Sequence, residues 1–128
     1  MPHVLLVDDN PDIRRVVRRR LEAFGCRVTE AQDGDGALAS QRADPADVLL
    51  TDMVMPGKEG VETVREFRSM YPNMRIVAMS GGGMGDGFAS LYTAKALGAV
   101  AVLRKPFTNE ELAHAIGIPS AIPPSATA

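Results

Sequence analysis

The chain has a single cysteine, Cys26, among its 128 residues. That excludes an intramolecular disulfide and any cysteine-rich metal site, and it predicts a reducing, cytoplasmic setting. Its two histidines, His3 and His114, stand far apart and read as structural residues, so no His/Cys cluster is available for a transition metal. Neither sign of charge dominates. The 16 acidic and 14 basic residues leave a formal charge of −2, which gives no reason to expect nucleic acid or a membrane as a direct partner. No apolar stretch is long enough to span a bilayer, and Met1-Pro2-His3 lacks the basic start of a signal peptide.

What is present is an ordinary globular composition, 45% hydrophobic and 23% charged, in a length that suits one domain. Four short apolar runs, at 4–7, 48–50, 76–79 and 100–103, are partly β-branched and do not alternate cleanly. Such runs predict strands buried on both faces of a parallel sheet; a weaker fifth candidate covers 26–31. Helical patterns lie between them. Ile13, Val16, Val17, Leu21 and Phe24 share one face of the first, which starts at Asn10-Pro11-Asp12, a cap, a first-turn proline and a dipole-matched acid. Further helices are expected over 36–42, 59–70, 88–97 and 109–116, with Gly25, Gly98 and Gly117 as terminators. A β-α alternation repeated five times predicts an α/β fold: one doubly wound five-stranded parallel sheet, order 2-1-3-4-5, with helices on both faces (flavodoxin-like). Residues 1–117 form this domain, and 118–128 read as a flexible Pro/Ala/Ser tail.

In such a sheet ligands gather at the carboxyl ends of the strands, where the strand order reverses. The polar residues just past each apolar run are Asp8 and Asp9, then Asp52, then Ser80, then Lys105 with Pro106. Three carboxylates brought to one rim repel one another, by roughly 4 kcal/mol per pair at about 4 Å and an effective dielectric near 20. A hard divalent ion resolves that conflict, Mg²⁺ before Mn²⁺. A carboxylate beside such an ion can take a phosphoryl group, with Lys105 and the Ser80 hydroxyl receiving its oxygens.

With Val4-Leu5-Leu6-Val7-Asp8-Asp9-Asn10, Asp52-Met53-Val54-Met55-Pro56-Gly57, Ser80-Gly81 and Lys105-Pro106-Phe107 in order, the chain resembles a two-component response-regulator receiver domain of the chemotaxis-receiver kind over roughly residues 3–117. The resemblance implies that Asp52 is the phosphoacceptor. It also implies that Asp9, Asp52 and the Val54 carbonyl ligate Mg²⁺ while Asp8 acts mainly through water, and that Ser80 and Lys105 contact the phosphoryl group. A cis peptide bond is implied between Lys105 and Pro106. The implied partners are a histidine kinase or histidine phosphotransfer protein upstream and a protein target of unknown identity downstream. The only chemistry implied is the domain's own phosphorylation and dephosphorylation.

Two features depart from the family. Val102 stands where receivers commonly place a Tyr or Phe whose rotamer reports phosphorylation, and an aliphatic side chain cannot make that swing. The stretch after Ser80 carries glycines at 81, 82, 83, 85 and 87, so the conformational readout is expected in this loop. A pseudo-receiver, binding partners without phosphorylation, is the alternative that Val102 keeps open. A phosphatase of the haloacid-dehalogenase kind needs a second acid two residues past its nucleophile, where this chain has Asn10 or Val54. A flavin carrier needs a phosphate-cradling loop where this chain has Asp8 and Asp9. The arginines 14, 15, 18, 19 and 20 read as a solvated helix face, with docking on an acidic partner as the second reading.

Overall fold

The computed structural model describes residues 2–53, 60–80, 95 and 98–118. In chain order these form β1 (His3–Val7), α1 (Pro11–Ala23), β2 (Arg27–Ala31), α2 (Gly34–Ala43), β3 (Val48–Asp52), α3 (Gly60–Met70), β4 (Arg75–Ser80), β5 (Ala101–Arg104) and α4 (Asn109–Ile116). The five strands make one parallel sheet in the order β2-β1-β3-β4-β5. This is the predicted arrangement. The expected helix over 88–97 and the glycine-rich loop lie outside the described residues, apart from Lys95.

Every residue of β1 and β3 is buried, whereas the edge strands expose Arg27 on β2 and Arg104 on β5. Central parallel strands are covered on both faces, so their sequences run apolar without alternation. Alternate side chains still serve different cores, because successive residues point to opposite faces. Leu5, Leu49 and Ile76 pack with Val64 and Phe67 on the side of α2 and α3. Leu6, Leu50 and Val77 pack with Val17, Leu21, Leu112 and Ile116 on the side of α1 and α4. Val102 is half-buried against the first of these cores.

Local signals account for the helix ends. The Asn10 side chain accepts from the Asp12 and Ile13 amides, Asp33 caps α2 through the Gly36 amide, and Gly117 closes α4 at φ 84°. Thr108 and Glu111 form a reciprocal capping box at the start of α4. Thr108-Asn109-Glu110-Glu111 spells that motif in the sequence, where hydrophobic periodicity alone does not report it.

Three expectations need correction. Val16, on the apolar stripe of α1 that the sequence predicts, is 57% exposed, because Val17 and Leu21 face the sheet and Val16 lies one step of about 100° around the helix. Ile118, the first residue of the expected tail, packs on the α1/α4 core and donates its amide to the Ala113 carbonyl at 2.9 Å; residues 119–128 lie outside the described residues. Finally, the five α1 arginines do not form a simple solvated face, because Arg14, Arg18 and Arg20 are partly buried and bond other elements. No helix among the described residues is long and apolar enough to cross a membrane.

Candidate functional site

The strand order reverses between β1 and β3, and both strands leave the sheet on the same rim. Backbone ladders continue one step past the strands and hold the rim residues in register. The Asp8 amide donates to the Ala31 carbonyl at 3.2 Å, the Met53 amide to Met79 at 2.9 Å, and the Lys105 amide to Ser80 at 2.8 Å. Asp8 therefore follows β1 directly, Asp52 and Ser80 end β3 and β4, and Lys105 follows β5 across a cis bond to Pro106. At this same end of β3, Gly60 lies so close that a Cβ there would sit 2.5 Å from the Asp52 carbonyl oxygen and the Met53 Cα. Only glycine lets α3 approach the Asp52 backbone in this way.

Asp8, Asp9 and Asp52 each offer a carboxylate oxygen, and these oxygens all lie within 4.8 Å of one another. Asp8 and Asp52 are buried, at 1% and 7% exposure, while Asp9 is exposed. Lys105 Nζ lies 3.1 Å from Asp8 Oδ2 and 3.8 Å from Asp52 Oδ2, and the Asn10 amide donates to Asp8 Oδ1 at 2.9 Å. Among the described residues three carboxylates outnumber the one ammonium that touches them, in a partly buried pocket. An all-oxygen donor set with that excess of acids fits a hard divalent cation such as Mg²⁺. The Ser80 side chain is buried on the same rim, and the Val54 carbonyl lies outside the described residues.

Helix α1 contributes residues that sequence reasoning did not place here. Arg14 Nη1 donates to the Asp8 carbonyl at 2.6 Å and its Nε to Glu30 Oε1 at 3.1 Å, while Arg18 donates to Glu30 Oε2 at 2.6 Å and to Glu22 at 3.2 Å. The Arg18 guanidinium foremost, with Arg14, holds the Glu30 carboxyl below the usual carboxylate range, and Glu30 in turn raises Arg18. Arg20 lies over the Phe107 ring, 4.7 Å from its centroid, and donates to the Phe107 carbonyl at 2.7 Å and to Asn109 Oδ1 at 2.8 Å. Only Arg15 and Arg19 of the run are exposed. No spacing rule separates these two classes of arginine, since all five sit on one short helix. Their partners are 12 to 89 residues away for the contacts with Glu30 and Asn109. Beside this site a cleft of about 260 Å³ runs between α1 and the Lys105-Pro106-Phe107 segment, lined by Ile13, Val16, Val17 and Arg20.

Of the other residues singled out, His3 and Cys26 are buried and His114 is exposed. His3 is buried at the opposite end of β1, its ring 2.7 Å from Thr29 Oγ1 and 3.0 Å from the Pro45 carbonyl. Cys26 is buried, which pushes its thiol pKa up.

The sequence matches the response regulator receiver domain over residues 4–117. Among curated proteins it is 32% identical to the response regulator receiver protein CpdR of Brucella abortus, across 91% of this chain and 94% of that protein. It is 36% identical to the transcriptional regulatory protein CpxR of Klebsiella pneumoniae across 88% of this chain, which spans 46% of that longer protein. Among solved structures, a receiver domain protein from Clostridium thermocellum superposes with a TM-score of 0.83 at 30% identity, covering 91% of each chain. Chemotaxis protein CheY4 of Vibrio cholerae gives 0.77 at 34% identity, over 89% of this chain and 94% of that one. With the acid triad, the lysine and the strand order all on one rim, the chain belongs to the receiver domains of two-component response regulators.

Proposed function

We propose that this receiver takes a phosphoryl group on Asp52, with Mg²⁺ held by Asp9 and Asp52, the Val54 carbonyl, and Asp8 through water. The observation that carries the reading is the position of Asp52: it ends β3, 7% exposed, in a triad of carboxylates with Lys105 Nζ 3.8 Å away. A carboxylate oxygen of Asp52 attacks phosphorus in line, and the bond from phosphorus to the donor atom breaks. That donor is an imidazole nitrogen of a histidine kinase or phosphotransfer protein, which leaves with the electron pair. Mg²⁺, when bound by these residues, would offset negative charge on the transferring group. Lys105, already seated between Asp8 and Asp52, receives one phosphoryl oxygen, and the Ser80 hydroxyl at the end of β4 donates to another.

The cleft between α1 and Phe107 opens beside Lys105 and carries the exposed Val16, which suits docking of the phosphodonor within reach of Asp52. The domain acts in the cytoplasm as a signalling module, and its own phosphorylation and dephosphorylation are the only reactions it assists. The phosphorylated form changes the binding of a protein target, mainly through the loop after β4. The half-buried Val102 packs with the core, so the readout proceeds without an aromatic rotamer at that position.

Intact mass after incubation with acetyl phosphate and Mg²⁺ tests the site. One phosphoryl group should be gained, dependent on Mg²⁺ and absent from Asp52→Asn. A mutant that gains phosphate at the full rate refutes the assignment. A wild-type chain with neither mass gain nor a beryllofluoride-induced spectral change would instead be a phosphorylation-independent scaffold.

A further inference from the structure

Arg14 offers no ligand to the acid triad, yet its side chain is built into the turn that carries two of the three acids. Its Nη1 donates to the Asp8 carbonyl at 2.6 Å and its Nε to Glu30 Oε1 at 3.1 Å. Glu30 lies on β2 and is braced from the other side by Arg18. Arg14 is only 18% exposed, far from the behaviour of a solvated arginine.

The Asp8 carbonyl belongs to the peptide unit that joins Asp8 to Asp9. That unit is planar, so holding its oxygen sets the direction of the chain at the Asp9 Cα and the origin of the Asp9 side chain. Asp8 has further restraints: its amide bonds Ala31, and its carboxylate meets the Asn10 amide and Lys105. Asp9 has fewer. Among the described residues no hydrogen bond or ion pair holds its carboxylate, so its place within 4.8 Å of Asp8 and Asp52 depends on the backbone. We infer that Arg14, set in place by Glu30, is a positioning residue for the cation-binding turn and acts through the Asp8-Asp9 peptide. The inference rests on the Mg²⁺-assisted function proposed above.

Charge and positioning make opposite demands here, which gives the test its sign. By Coulomb's law alone, deleting a cation beside three carboxylates tightens binding of a divalent ion. Deleting a group that orients the ligands weakens it, typically about 10- to 100-fold. Mg²⁺ binding to the full chain is measured by calorimetry for wild type, Arg14→Ala, Arg14→Lys and Glu30→Gln, with metal-free thermal unfolding of each variant alongside. Arg14→Ala should raise the Kd about tenfold or more. Arg14→Lys keeps the charge but cannot reach both the Asp8 carbonyl and Glu30, and it should recover only part of the loss. Glu30→Gln should fall between wild type and Arg14→Ala. If wild type binds Mg²⁺ and a folded Arg14→Ala binds it equally or more tightly, the positioning role is overturned while the phosphoacceptor reading stands. Should Arg14→Ala fail to fold, an unchanged Kd in Glu30→Gln overturns it instead. A wild type that binds no Mg²⁺ brings down the underlying reading, and this inference with it.

Discussion

Asp9→Asn should make the metal-free domain more stable and the Mg²⁺-loaded domain less responsive. The substitution removes one charge from three carboxylates whose oxygens lie within 4.8 Å, and it barely changes shape. Two unit charges at that separation repel by about 3.5 kcal/mol at an effective dielectric near 20 and by about 1 kcal/mol in bulk water. Asp9 is exposed and belongs toward the watery end, and Lys105 offsets charge mainly at Asp8 and Asp52, which it touches. Relief of repulsion therefore amounts to about 1–2 kcal/mol. Against it stands the loss of a negative charge just before α1, where the helix dipole favours acids by about 0.3–1 kcal/mol. The repulsion wins, and a net gain of about 0.5–1.5 kcal/mol should raise Tm by roughly 2–8 °C in a domain of this size. Wild type should recover the difference on adding Mg²⁺, since a ligand at about ten times its Kd stabilises by about 1.4 kcal/mol. The mutant should show little of that gain. Thermal unfolding of both proteins in chelator and in saturating Mg²⁺ gives all four values. An Asp9→Asn protein that melts lower in chelator, yet keeps the full Mg²⁺ shift, would refute both the repulsion argument and the ligand role.

Other perturbations probe the same rim. Lys105→Ala removes a cation 3.1 Å from Asp8, so Mg²⁺ affinity should hold or tighten while phosphorylation by acetyl phosphate slows at least tenfold; loss of Mg²⁺ binding would contradict the assignment. Gly60→Ala places a methyl group 2.5 Å from the backbone of Asp52 and Met53, and urea unfolding should show a loss of at least about 1–3 kcal/mol together with slower phosphorylation. Equal stability would mean that α3 shifts freely. The depressed pKa of Glu30, set chiefly by Arg18, gives a pH dependence of defined sign. Its stabilisation is complete above the unfolded carboxylate value of about 4.3 and is lost as pH falls through the lower folded value. Glu30→Gln should therefore destabilise at pH 7 and converge with wild type in acid, and a gap that widens on acidification would sink the argument. Leu50→Ala empties a fully buried site between β3 and the α1/α4 core and should cost about 2–5 kcal/mol by chemical denaturation.

Much of this protein was written in local sequence, because the signals concerned act over a few residues. Non-alternating apolar runs mark central parallel strands, Asn10-Pro11-Asp12 starts α1 through its own amides, and Gly117 ends α4 by accepting a left-handed turn. The acids at the ends of β1 and β3 were legible for the same reason, since a strand that stops at an acid delivers it to the rim. Tertiary structure decided what those local signals leave open. Five arginines on one helix look alike in sequence, but only packing against β2 and the Phe107 segment gives Arg14, Arg18 and Arg20 partners on other elements and leaves Arg15 and Arg19 in water. Val16 differs from Val17 only by a step around the helix, and the position of the sheet determines which one is covered. Ile118 joined the core because the closing turn of α4 folds it back on Ala113, a contact no composition bias could foretell. Periodicity reports which face of an element is apolar. Which charged groups meet across elements depends on the packing angle and register of the whole sheet, and those exist only once the chain has closed on itself.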